Sequence, residues 1–152
     1  MNRLIQTLLT SQSNLGFSIA RLILGLVLFP HGAQKMLGLF GGFGFSGTME
    51  FFSQQMGLPP IVGFSVIAIE FFGSISLILG LLSRCWAIAI IGLFMGIIFT
   101  SQLQNGFFMN WFGNQEGEGY EYSILIIGLA LSILINGSGG YALDNIIIKS
   151  KS

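Results

Sequence analysis

The sequence predicts an all-α fold, an integral membrane four-helix bundle with a short interfacial helix and loop between helices 1 and 2. Three observations predict it. Only six Lys+Arg and six Asp+Glu occur in 152 residues, 8% of the chain, where a soluble domain at the usual rate would carry roughly 38 charged residues. Hydrophobic types make up 53%, and 15 residues are Phe. These residues concentrate in four apolar stretches, 17–39, 61–82, 86–103 and 119–136, each near the ~20 residues that cross a hydrocarbon core as a helix. The stretches are continuous rather than alternating, which excludes a barrel. They form one membrane domain over residues 1–152.

The same numbers exclude other classes. Disordered chains are poor in aromatics and rich in charge. A net charge of zero without basic clusters leaves nothing to neutralise phosphates, so no nucleic-acid partner is expected. The lone Cys85 excludes an internal disulfide and a CxxC redox pair. One His and scattered Glu residues do not make a set of metal ligands, so no metal is expected.

Taken in order, the first stretch reads as a retained helix rather than a cleaved signal. His31, Gln34 and Lys35 lie where a cleavage region would be small and neutral. A Gly/Phe segment, 38–47, then reads as a re-entrant turn, followed by an amphipathic helix in which Met49, Phe52 and Met56 share helical spacing. Gly57-Leu58-Pro59-Pro60 ends it before the second stretch. Leu82-Ser83-Arg84-Cys85 reads as the turn into the third stretch, whose Gly92 and Gly96 form GxxxG. That spacing lets another helix approach closely, and packing inside the bundle is favoured over dimerisation. Trp86 and Trp111 are expected at opposite interfaces.

Charge sets the orientation. Arg3, Arg84, Lys149 and Lys151 fall on one side of four spans, together with Asp144, whereas Glu50, Glu116 and Glu118 fall on the other. The positive-inside rule then places both termini in the cytoplasm of a multi-pass inner-membrane protein.

Arg21, His31, Lys35 and Glu70 remain inside or at the ends of spans. A carboxylate at the centre of a span costs about 2.5–3.5 kcal/mol on insertion scales, so Glu70 needs a partner or a proton. At 100° per residue, Arg21, His31 and Lys35 share an arc of about 80° on helix 1, and His31 differs from Glu70 in depth by about 5 Å. The four residues are expected to form one polar cluster. The alternative is that Arg21 and Lys35 snorkel to opposite interfaces and leave Glu70 protonated. A His31–Glu70 pair would exchange protons with a quinol, because imidazole titrates near neutral pH, or would equally serve as a fixed ion pair. The segment 105–122, in which aromatics alternate with amides and acids, reads either as an interfacial belt or as a lid with Glu121 as a buried acceptor.

Arg21-Leu22-Ile23-Leu24-Gly25, His31-Gly32-Ala33-Gln34-Lys35, Phe45-Ser46-Gly47-Thr48, Met56-Gly57-Leu58-Pro59, Asn105-Gly106-Phe107-Phe108, Gly119-Tyr120-Glu121-Tyr122 and Gly139-Gly140-Tyr141-Ala142-Leu143-Asp144 occur in this order. In that order they resemble the DoxX family of small bacterial inner-membrane proteins, over residues 16–148. Many relatives carry His where this chain has Gln102 and Ser123. The resemblance implies a four-helix membrane bundle associated with quinone-linked or thiol-stress redox complexes.

Two functions follow as expectations. The first is an accessory subunit of such a complex, with a quinone headgroup between helices 1 and 2. Glu70 and His31 would then be the catalytic, proton-exchanging groups, and Arg21, Lys35 and Glu121 would be cofactor-binding. The alternative is a non-catalytic membrane scaffold or assembly factor. Whether the chain is an enzyme stays open between them. The lipid bilayer and redox-complex subunits are the partners expected.

Overall fold

Three helices long and apolar enough to cross a membrane dominate the fold: α1 (Leu15–Leu37), α3 (Pro60–Leu79) and α4 (Ser83–Asn105). The computed structural model describes Leu9 and residues 14–149. Arg3, Lys151 and the side chain of Lys149, which contribute to the charge distribution above, lie outside the described residues. A fourth apolar helix, α5 (Glu121–Asn136), is shorter at 16 residues. A short helix, α2, covers Gly44–Glu50 and continues as a π-helical turn over Phe51–Gln55. A last helix, α6, covers Leu143–Lys149. No strand occurs among the described residues.

The four long helices share one apolar core. Leu24 and Leu28 come from α1, Leu77 from α3, Ala87, Ile90 and Phe94 from α4, and Ile126, Ala130 and Ile133 from α5. Glycine brings α1 against α3. Gly25 and Gly32, seven residues apart and so on one face, stand over Ser74 and Glu70. A Cβ on Gly32 would lie 2.6 Å from the Glu70 carbonyl. No larger residue fits there without parting the helices. Trp86 covers Gly73, whose Cβ would come within 2.9 Å of the indole. Trp86 thus packs partly buried on the core, whereas Trp111 is exposed.

The turn between α3 and α4 falls at Gly80–Leu82, a little before the stretch the sequence suggests. Gly80 and Leu82 both take left-handed conformations, at φ 71° and 51°, and Ser83 already opens α4. A buried polar knot fixes this end. Arg21 sits among the carbonyls that end α3, donating through Nη1 to Leu77 and Ile78, through Nε to Ser138 at 2.8 Å, and through Nη2 to Tyr141 at 3.3 Å. The last carbonyls of a helix lack intrahelical donors, and a cation there also meets the negative end of the dipole. Asp144 does the converse for α4. Its carboxylate accepts from the Leu82 amide at 2.8 Å, the Ser83 amide at 3.2 Å and the Ser138 hydroxyl. Arg84 closes α5 by donating to the Ile135 carbonyl at 3.0 Å.

The knot gives two expected outcomes in thermal unfolding of the detergent-solubilised protein. Asp144→Ala strands two amides and a hydroxyl in a buried site and should cost about 2–4 kcal/mol, whereas Asp144→Asn, which keeps one acceptor, should cost less. Gly32→Ala should lower the midpoint as well, because backbone rather than a flexible side chain blocks the added carbon.

Candidate functional site

A cavity of about 520 Å³ opens between α3 and α4. Ile61, Val62, Val66 and Ile69 line it from α3, and Leu93 and Ile97 from α4, with Phe52, Met56 and Leu58 closing the end near the 38–60 connection. Lys35 and Glu70 lie at its wall. Lys35 Nζ donates to Glu70 Oε2 at 2.6 Å, and this is the only salt bridge within 4.0 Å among the described residues. The Glu70 side chain is buried, whereas that of Lys35 stays 25% exposed and also borders a smaller cavity of about 250 Å³ beneath the Gly41–Phe43 turn. The pair therefore sits between an apolar chamber and a more open one.

Local sequence explains the pairing. Gly32 clamps α1 to the backbone at Glu70, and Lys35, three residues on, is turned only about 60° from that contact. Gly42 keeps the next turn close, because a Cβ there would lie 2.3 Å from the Gln34 carbonyl. The Gln34 amide in turn donates to the Phe40 carbonyl at 3.1 Å.

Around the cavity, three π-helical turns interrupt the regular helices: Phe51–Gln55, Ile69–Gly73 and Ile98–Gln102. Each contributes lining residues, namely Phe52, then Ile69 and Glu70, then Thr100 and Ser101. A π turn inserts one residue into the ladder and re-aims its side chains, and such turns concentrate at functional sites. Periodicity of 3.6 does not reveal them, so Thr100 and Ser101 carry no signal in the sequence.

The expected single cluster divides into three places. Lys35 and Glu70 meet. Arg21 lies eleven residues before Gly32, about 16 Å along the helix, and is committed to the carbonyls at the opposite end of α3. His31 is exposed, turned about 100° from Gly32, and no ion pair joins it to Glu70 among the described residues. Its ring instead faces Tyr122 on α5, with centroids 6.4 Å apart. The Tyr122 hydroxyl is buried without a hydrogen-bond partner. Sequence reasoning passed over Tyr122, which reads as one more apolar residue opening α5.

Glu121 lies outside the cavity. Its carboxylate accepts from the Met109 amide at 3.2 Å, while Glu118 accepts from Asn110 at 2.8 Å. The acids thus tie segment 106–121 to itself, and none of its residues lines the chamber. Gln102 and Ser123 are in direct contact, the serine hydroxyl donating to Gln102 Oε1 at 2.6 Å. Gly92 and Gly96 differ from expectation. Neither touches a neighbouring helix, since a Cβ on either would meet nothing within 4 Å. They form the cavity wall instead of a packing seam. No metal-ligand group of three His, Cys, Asp or Glu occurs among the described residues, and Cys85 is exposed.

The family model described as DoxX matches residues 16–103. The chain is 30% identical over 137 residues to the Bacillus subtilis (strain 168) protein named "Putative oxidoreductase CatD", covering 90% of each. No solved structure matches. This chain belongs to the DoxX family.

Proposed function

We propose that this chain is a multi-pass four-helix protein of the bacterial inner membrane, forming one membrane domain with both termini cytoplasmic. In this reading it serves as an accessory subunit of a quinone-linked or thiol-stress redox complex. The observation that carries the reading is the Lys35–Glu70 ion pair on the wall of a largely apolar chamber of about 520 Å³. That volume lies in the range of small-molecule sites, which combine apolar walls with a few placed polar groups. A quinone ring fits the description: a flat apolar body with two carbonyl oxygens that need a hydrogen-bond donor and, on reduction, protons. The name of the Bacillus subtilis relative, an oxidoreductase, is consistent with it.

The chain's own residues would then divide the work. The Lys35 ammonium donates to a ring carbonyl while Glu70 holds it in place. The Glu70 carboxylate accepts or returns a proton at the same point. Phe52, Val66, Ile69 and Leu93 exclude water from the ring. When bound, the quinone would take up two electrons and two protons, with the electrons supplied by a partner subunit. Arg21 and Glu121 fall to structural roles, and His31 faces Tyr122 instead.

A second reading, a membrane scaffold or assembly factor, is favoured by one feature. Phe108, Trp111 and Phe112 stand exposed on the 106–121 segment, where a partner protein would find aromatic contacts.

Three variants separate the readings. Replacing a buried ion pair by apolar residues of similar size is often neutral for stability, so Lys35→Met/Glu70→Leu should fold to normal levels. Titration of the purified protein with a tail-free dimethoxy-methyl-benzoquinone, followed by fluorescence quenching, should show binding by the native chain. Binding should weaken by about tenfold or more in the double variant and in Glu70→Gln. Equal binding by all three proteins would remove the quinone reading. Loss of a co-purifying partner from Trp111→Ala/Phe112→Ala, with quinone binding nowhere detectable, would support the scaffold.

A further inference from the structure

The cavity has a direction that the ion pair alone does not explain. Lys35 and Glu70 occupy one part of its wall. The rest runs along the apolar faces of α3 and α4, and Gly92 and Gly96 leave that side open, both being exposed. A Cβ at either position would enter empty space. Both helices are apolar and long enough to cross a membrane, so this opening faces hydrocarbon and not water. A ring bound at Lys35 and Glu70 would have its remaining edge directed along a trough of Ile69, Leu93 and Ile97 toward the lipid.

We propose that the ligand is an amphipathic molecule drawn sideways from the bilayer, with its polar head at Lys35–Glu70 and its apolar tail lying in the trough over Gly92 and Gly96. This rests on the quinone reading above and makes it specific to lipid-tailed quinones rather than small water-soluble ones. Polarity complementarity carries the assignment. One stretch of wall offers a donor and a carboxylate, the rest is mostly aliphatic side chains and the two glycines, with Ser65, Thr100 and Ser101 as its other polar residues, and an occupant must match both. A second copy of the chain packing its own α4 on the two glycines would match the trough but would leave the ion pair facing apolar side chains. The trough also explains why residues 92 and 96 lack side chains although no helix packs on them. A leucine at either position would fill the space a tail needs.

The test uses the full chain in lipid nanodiscs and two probes, the tail-free benzoquinone and its decyl-tailed analogue. Gly92→Leu/Gly96→Leu should keep the native thermal midpoint, because a Cβ at either position meets nothing within 4 Å. It should lose decyl-quinone affinity by roughly tenfold or more while binding the tail-free ring as the native protein does. Unchanged decyl-quinone affinity in that variant would overturn the inference and leave the headgroup site standing. Equal loss of both probes would overturn it too, by placing the ring itself over the glycines. Failure of the native chain to bind either probe would remove the quinone reading, and this inference with it. A native dimer that the glycine variant converts to monomer, with decyl-quinone affinity unchanged, would assign the trough to a second copy. Should the leucine variant not fold, a decyl-quinone with a diazirine at the tail end provides the measurement on the native chain. Crosslinks within residues 92–97 support the inference, and crosslinks confined to α1 or α5 overturn it.

Discussion

A carboxylate at the midpoint of an apolar helix must be neutralised, and most of this fold near the cavity serves that requirement. Glu70 is the eleventh of the 20 residues of α3, and ionised groups at such a depth persist only when paired. The partner has to come from another helix, because α3 carries no cation. Lys35 reaches it only because Gly32 lets α1 touch the Glu70 backbone and Gly42 lets the following turn fold back on Gln34. Two missing side chains thus place one ammonium. The π-helical turn over Ile69–Gly73 completes the arrangement by setting the direction in which the Glu70 side chain leaves the helix.

Much of this was legible in the sequence, for physical reasons. Charge scarcity and apolar runs report the solvent, so the apolar helices followed from composition, three of them long enough to cross a membrane. Glu70 stood out because a charge in a run of Ile, Phe and Gly is anomalous at any depth, and Lys35 shared its level. The grouping of Arg21 with them failed on distance along the axis rather than on direction. Arg21 does lie on the face that meets α3, but helix ends present unsatisfied carbonyls, and those of Leu77 and Ile78 are nearer than Glu70. His31 failed on angle. A residue next to Gly32 is turned about 100° from the contact, and it meets Tyr122 instead. The glycines of GxxxG were recognised as absent side chains, but sequence cannot tell a surface that admits a helix from one that admits a smaller guest.

The contrast between the two ends of the bundle argues for where function resides. At the Gly80–Leu82 end, the polar capacity of Arg21 and Asp144 is spent, although the buried Ser83 hydroxyl makes no hydrogen bond. Arg21 directs Nε, Nη1 and Nη2 to four carbonyls, and both oxygens of Asp144 accept, one of them twice. Such a knot holds helices in register and has little left to offer a ligand. Lys35 and Glu70 are different. An ammonium has three donors and a carboxylate about four acceptor sites, yet one hydrogen bond joins them and no other to either side chain occurs among the described residues. The Tyr122 hydroxyl nearby makes none. Buried polar groups left unmet are costly unless something else meets them. In a chain with so few charges, the spare hydrogen-bonding capacity of Lys35 and Glu70, on the wall of a largely apolar chamber, is the strongest reason to look for a guest at this pair and not at the better-bonded arginine.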